Sequence, residues 1–172
     1  MTIITESGMD FVISDRSRLF YIEHSGLYEK LKGGIRTTEY IYLGKKDVLQ
    51  FVEAKTTCPN SNNKEESKEK EIKYNRYYRE LCQKYTDSFN ILTASLLGKN
   101  GIEDIGEKIS AIRSMENIQI RFLLVIKNAE ETWLSGVKAE LEYRLFSLRK
   151  IWKIDVQVLN EELAYKKGII KV

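Results

Sequence analysis

Apolar residues recur with two periods along the chain, and each period predicts a class of secondary structure. The β-rich runs 37–43 and 47–57 flank a turn at Gly44 and predict an antiparallel hairpin. The nearly continuous apolar run 118–128 predicts a central strand, and the alternating run 153–159 predicts a further strand. The sequence therefore predicts a sheet that begins with a hairpin and continues through later strands.

Apolar side chains at spacings of three and four predict helices between these strands. Residues 72–97 form the longest such segment, and Gly98 follows it as a stop signal. Residues 102–115 and 130–152 predict two more helices. Asn160 is the expected N-cap of a short last helix.

The N-terminal part of the chain leaves two interpretations open. Residues 1–15 are ambiguous, although 10–13 could form a short strand. A helix within residues 16–34 would place Phe20, His24, Leu27 and Leu31 on one face. A strand through residues 20–22, followed by a short helix from Ser25, fits nearly as well.

This order of elements predicts an α/β fold in one domain that spans residues 1–172. The central sheet is expected to be mixed, with an antiparallel hairpin first and then strands joined by helical crossovers. Helices are expected on both faces of the sheet. The single proline of the chain lies in a polar stretch at about 57–71, which predicts a flexible loop within the domain.

Composition and charge favour a globular protein without pointing to a partner. Hydrophobic residues make up 42% of the chain and charged residues 31%, which excludes an intrinsically disordered chain. The net charge of +3 is too small to indicate nucleic-acid binding by itself. The two cysteines match no metal-ligand spacing, and we see neither a secretory leader nor a membrane span, so we expect a cytoplasmic protein.

The run 47–57 carries a glutamate and a lysine within an otherwise apolar strand. Glu53 and Lys55 share one face because side chains alternate along a strand, and they are expected roughly 7 Å apart. Burial of an unpaired charge is unfavourable, so both side chains need partners. A salt bridge at the end of the strand is the common explanation for such a pair.

A second acid, Glu39, is expected beside Glu53 across the hairpin. If the turn centres on Gly44, residue 39 lies close to residues 51–53 of the neighbouring strand. Adjacent carboxylates repel unless a cation lies between them, and Mg²⁺ prefers such oxygen ligands. A nearby ammonium, here that of Lys55, can orient a metal-bound water or neutralise phosphate charge. This hairpin therefore indicates chemistry suited to phosphodiester hydrolysis.

Over roughly residues 17–127 the pattern resembles the PD-(D/E)xK nuclease superfamily. Its members carry an acid on the second core strand and (D/E)-x-K on the third, followed by a helix and a further strand. Glu39 would be the first acid, and Glu53-Ala54-Lys55 would be the E-x-K. The resemblance implies a restriction-endonuclease-like core.

By this resemblance the protein would be a nuclease that hydrolyses DNA or RNA with Mg²⁺ or Mn²⁺. Glu39, Glu53 and the carbonyl of Ala54 would bind the metal, and Lys55 would assist the attacking water. Glu23 would supply the further acid that several members take from the first core helix. The protein would act alone, as a homodimer or as a subunit of a larger complex.

The sequence departs from the family pattern at its first acid, which leaves other functions open. The usual residue is an aspartate preceded by proline, whereas Glu39 follows Thr38. Some relatives have lost catalysis, so the alternative is an inactive nuclease-like domain that binds nucleic acid or a protein; a structural domain with an incidental E-x-K is a third possibility. His24 is either an extra metal ligand or a structural histidine, and Asp47 is expected to serve the turn.

Overall fold

Eight strands form two sheets in the computed structural model, which describes residues 1–60 and 65–171. The strands, numbered in chain order, are β1 (Thr2–Glu6), β2 (Met9–Ile13), β3 (Leu19–Phe20), β4 (Tyr40–Leu43), β5 (Val48–Lys55), β6 (Gln119–Ile126), β7 (Asp155–Asn160) and β8 (Ile170–Lys171). The main sheet has the order β3-β4-β5-β6-β7, antiparallel as far as β5 and parallel from β5 to β7. The predicted α/β class and mixed sheet are therefore confirmed.

Helices cover one face of the main sheet, and a second sheet covers much of the other. The helices are α1 (Gly26–Leu31), α2 (Lys68–Leu96), α3 (Glu107–Ser110), α4 (Glu131–Arg144), α5 (Phe146–Trp152) and α6 (Glu161–Lys166). Helices α2 and α4 pack on the face that carries Phe51 and Phe122. The second sheet, β1-β2-β8, packs with α6 on the opposite face, against Val52 and Leu123.

The predicted hairpin consists of β4 and β5. Tyr40 pairs with Val52, and Leu43 pairs with Leu49. A short 3₁₀ turn, Lys45–Asp47, connects the two strands, which agrees with the turn role expected for Asp47. The register is the one that brings residue 39 beside residues 51–53.

Helix α2 begins four residues before the predicted start at residue 72. Ser67 caps it by accepting a hydrogen bond from the backbone N–H of Lys70. Glu69 and Glu71 lie in the first turn, where negative charge is favourable for the helix dipole. The prediction of a loop over 57–71 is therefore wrong for residues 68–71, and residues 61–64 lie outside the described ranges.

Two other predicted helices are shorter than the periodicity suggested. Only Glu107–Ser110 is helical within 102–115, because the backbone N–H of Gly106 is bonded to the carbonyl of Leu19 at 2.9 Å. A Cβ on Gly106 would lie 2.6 Å from that same carbonyl oxygen, so only glycine allows the contact. The segment 130–152 is divided at the buried Leu145 into α4 and α5.

The N-terminal segment follows the second of its two interpretations. A two-residue strand, β3, leads into a 3₁₀ turn at Ile22–His24, and Ser25 caps the short α1. The other interpretation, a single helix with His24 on its core face, is wrong, because His24 is exposed and lies in the 3₁₀ turn. None of the helices in the described part of the chain combines the length and apolarity needed to cross a bilayer.

Candidate active site

The β4–β5 hairpin brings the two predicted acids together. Glu39 directly precedes β4, and its backbone N–H donates to the carbonyl of Val52 at 3.0 Å. Glu53 follows Val52 in β5 and shares its face with Phe51, toward helix α2. Both glutamates are buried, so their electrostatic interactions are strong. The proximity predicted from the hairpin register is confirmed.

A lysine that the sequence analysis did not single out lies between the two carboxyl groups. Lys84 of α2 places its Nζ 2.8 Å from Glu53 Oε1, 3.1 Å from Glu53 Oε2 and 3.7 Å from Glu39 Oε1. Its position in the helix is the signal that could have identified it. Lys84 follows Leu81 by three residues and precedes Ser88 by four, and both of those side chains are buried. A lysine in an apolar stripe requires a buried partner.

Lys55 also contacts Glu53 from its place at the end of β5. Its Nζ lies 2.8 Å from Glu53 Oε1, and the side chain is partly exposed while Glu53 is fully buried. Two ammonium groups therefore approach one carboxylate oxygen, one from the helix and one from the strand end. The expectation that Glu53 and Lys55 share a face is confirmed, and the salt bridge that commonly explains such a pair is present.

Burial and neighbouring acids raise the pKa of Glu39 to about 9. Removal from water is the largest cause, followed by a hydrogen bond between the carboxyl groups of Glu39 and Glu23 and by the charge of Glu53. Burial also raises the pKa of Glu53, while the charges of Lys84 and Lys55 lower it. The raised pKa favours a proton on Glu39 at neutral pH, in its hydrogen bond with the Glu23 side chain, while the two lysines favour the ionised form of Glu53.

Glu23 reaches the site from the 3₁₀ turn ahead of α1. Its backbone N–H lies 3.5 Å from the carbonyl of Glu39, and its side chain meets the Glu39 carboxyl group. Sequence reasoning chose Glu23 as the third acid, and the structure brings its side chain to that of Glu39. Its expected location on the first core helix is wrong by one turn, because α1 begins only at Gly26.

A second cluster adjoins Glu23 on its solvent side. Glu6, Glu23 and His24 each offer one potential ligand atom, and these atoms lie within 4.8 Å of one another. Glu6 accepts a hydrogen bond from the Tyr21 hydroxyl at 2.7 Å and lies 4.0 Å from His24 Nε2. Sequence reasoning missed Glu6, because it belongs to β1, which the ambiguous first fifteen residues did not reveal.

Ala54 contributes to the site through its backbone alone. Its side chain is buried on the opposite face of the sheet, against the second sheet. The carbonyl that the resemblance assigns to a metal lies in the peptide bond that joins Ala54 to Lys55. This placement is compatible with the expected role, which stays a prediction.

The residue types of the cluster suit a hard divalent cation. Glu39, Glu53 and Glu23 carry carboxylate oxygens, which Mg²⁺ and Mn²⁺ prefer, and water or phosphate can complete such a shell. Among the described residues, however, the ligand atoms that already lie within 4.8 Å of one another are those of Glu6, Glu23 and His24, so one ion bound by the predicted set requires its carboxyl groups to draw together. Two requirements follow from the contacts. Glu39 must release its proton, and Lys84 must withdraw its Nζ from Glu53.

Comparisons with known proteins add no family assignment. No family model, no curated protein and no solved structure matches this chain.

Proposed function

We propose that the protein is a divalent-metal-dependent nuclease of the PD-(D/E)xK type that hydrolyses phosphodiester bonds. The observation that carries this proposal is the convergence of Glu39, Glu53 and Glu23 at one end of the hairpin, beside Lys55. Three acids and a lysine in one buried cluster are costly for stability. A catalytic role explains why such a cluster is present.

Each residue has a role that its position supports. The carboxyl groups of Glu39, Glu53 and Glu23 would hold Mg²⁺ or Mn²⁺, together with the backbone carbonyl of Ala54. The metal would supply Lewis-acid stabilisation of the phosphate and a more acidic water. Lys55, at the partly exposed end of β5, would place its ammonium beside the attacking water and the phosphate oxygens.

One observation favours the alternative of a catalytically inactive nuclease-like domain. Lys84 contacts both oxygens of Glu53 and approaches Glu39, so it satisfies the two acids without a metal. In that case the cluster is a buried ion-pair network, and the protein binds nucleic acid or a protein partner through other surfaces. The two functions differ in whether the protein cleaves nucleic acid, for which binding of a cation by the carboxyl groups is a precondition.

Calorimetric titration with Mg²⁺ and with Mn²⁺ tests the metal site directly. With a cleavage-resistant oligonucleotide bound, wild type should bind at least one of the ions, and Glu53→Gln should bind it at least about tenfold more weakly. Glu116→Gln removes an exposed acid outside the cluster and should bind like wild type. Equal binding by Glu53→Gln and wild type would place the metal elsewhere and refute the site.

Cleavage assays then test catalysis with the same proteins. Single- and double-stranded DNA and RNA oligonucleotides, with Mn²⁺ present, should be cut by wild type and not by Lys55→Ala. Lys30→Ala, which alters an exposed lysine of α1, is the matched control and should retain activity. Metal binding without cleavage of any of these substrates would favour the inactive domain.

A further inference from the structure

A cavity of about 690 Å³ opens on the face of the main sheet opposite Glu53. It lies where the second sheet stops covering the main one, between the end of β2 and strands β4 and β5. The segment that leads into β8, residues 167–169, forms another wall. Its volume is within the usual range for small-molecule sites, roughly 300–1,000 Å³.

The floor of the cavity is apolar and firmly packed. Ile13, Tyr40, Val52 and Leu123 line it, and each is at most 3% exposed. These side chains belong to the core between the two sheets, so the floor is held by strands on both sides. Around this floor the partly exposed side chains of Val12, Tyr42 and Ile169 offer the apolar surface from which a flat group would displace water.

Polar side chains replace apolar ones toward the mouth of the cavity. Gln50 and Tyr42 are paired on neighbouring strands and occupy the row next to Tyr40 and Val52. The Tyr42 hydroxyl is hydrogen-bonded to the Ser14 hydroxyl at 2.8 Å. The amide of Gln50 has no hydrogen-bond partner in the contacts of the described residues, so both its donor and its acceptor are available to a ligand.

The rim of the cavity is strongly cationic. Four basic residues line it and only one acid does: Arg18, Lys45, Lys108, Lys167 and Asp15. Asp15 is paired with Lys108 at 2.8 Å, and Arg18 donates to the carbonyls of residues 43 and 44. Lys45 and Lys167 are exposed and have no ion-pair partner among residues 1–60 and 65–171. An anionic group at the mouth of the cavity could therefore form ion pairs with both of these ammonium groups.

We propose that this cavity binds a mononucleotide. The base would lie above the floor against the partly exposed side chains of Val12, Tyr42 and Ile169, with the Gln50 amide against its donor–acceptor edge. The phosphate would contact Lys45 and Lys167 at the mouth. An aliphatic carboxylate would leave the Gln50 amide unpaired, which disfavours it. The site lies on the opposite face of the sheet from Glu53, so it is separate from the proposed nuclease centre and independent of it.

Calorimetry in the presence of a metal chelator tests the proposal. The probes are AMP, GMP, CMP and UMP, with inorganic phosphate and adenosine as single-part controls. At least one nucleotide should bind at least about tenfold more tightly than either control, because it engages both the floor and the rim. Phosphate binding as tightly as every nucleotide, or no nucleotide binding at 1 mM, would overturn the proposal.

Variants locate the binding within the cavity. The double change Lys45→Ala and Lys167→Ala affects exposed side chains and should weaken nucleotide binding by at least about tenfold. Lys30→Ala, on α1, should bind like wild type. Gln50→Leu should reduce the preference among the four bases while the phosphate contact persists. Unchanged affinity in the double variant would refute the assigned site.

Discussion

Replacement of Glu39 by glutamine tests the electrostatics of the candidate site without assuming a substrate. The folded protein holds the pKa of Glu39 at about 9, whereas the ordinary value is 4.5. Between these values the folded state binds a proton that the unfolded chain releases. The stability contributed by the protonated side chain is therefore complete below pH 4.5 and is lost as the pH rises through 9.

The size of this pH effect follows from the single proton that Glu39 binds in the folded state and releases on unfolding. The free energy of unfolding should fall by up to about 1.4 kcal/mol for each pH unit inside this window. Between pH 6 and pH 8 the wild type should therefore lose up to about 3 kcal/mol that the Glu39→Gln variant does not lose. Titrating groups that the two proteins share contribute similarly to both, so the difference between the two curves reports Glu39.

Urea denaturation at several pH values, with a chelator present, measures these free energies. Glu116→Gln is the matched control and should show the wild-type dependence on pH, because Glu116 is exposed. Parallel curves for Glu39→Gln and wild type would show that Glu39 is ionised in the folded protein. An ionised Glu39 could not donate to the Glu23 carboxyl group, so the hydrogen bond that supports the raised pKa would be absent and the reasoning about the site would be refuted.

Three further changes probe the surroundings of the site by denaturation at pH 7. Lys84→Met should lower the free energy of unfolding by up to about 3–5 kcal/mol, because Glu53 then keeps only the partly exposed Lys55 as a partner, and adding Glu53→Gln should recover part of the loss; no recovery would refute the pairing. Ser88→Ala should cost about 1–3 kcal/mol, because Ser88 accepts from the buried N–H of Thr38 at 2.8 Å; an unchanged value would contradict this. Tyr85→Phe should stabilise by about 1 kcal/mol, because the buried hydroxyl has no hydrogen-bond partner among the described residues; a loss would show that it has one.

The acid pair could be predicted because its geometry depends on local rules. Strand alternation places Glu53 and Lys55 on one face, and a tight turn fixes which residues of β4 lie beside them. Lys84 could not be placed in the same way. Its approach to Glu53 depends on how α2 packs across the sheet, and no spacing between residues 53 and 84 encodes that distance.

The second sheet escaped prediction for a related reason. Strand β8 has only two residues and pairs with β2 at the other end of the chain, so neither strand carries a long periodic pattern. The polar Gln50 within β5 was the one sequence signal of how the second sheet covers the main sheet. It marks the row of the main sheet that the second sheet leaves uncovered, and there the cavity opens.

The charge balance of the site predicts that metal binding depends on nucleic acid. With a proton favoured on Glu39 and two ammonium groups, those of Lys55 and Lys84, beside Glu53, the cluster exerts little net attraction on a cation. A phosphate beside the partly exposed Lys55 would attract the two ammonium groups and leave the carboxylates unpaired.

Mn²⁺ titrations with and without an oligonucleotide that resists cleavage measure this dependence. For an active nuclease, affinity for Mn²⁺ should rise by about tenfold or more when the oligonucleotide is bound, and Glu53→Gln should abolish the increase. If the bound oligonucleotide did not change the affinity for Mn²⁺ while Mn²⁺ still bound, the predicted coupling between nucleic acid and metal would be wrong. If Mn²⁺ binds in neither case, Lys84 is the permanent partner of Glu53, and the cluster is a structural ion pair.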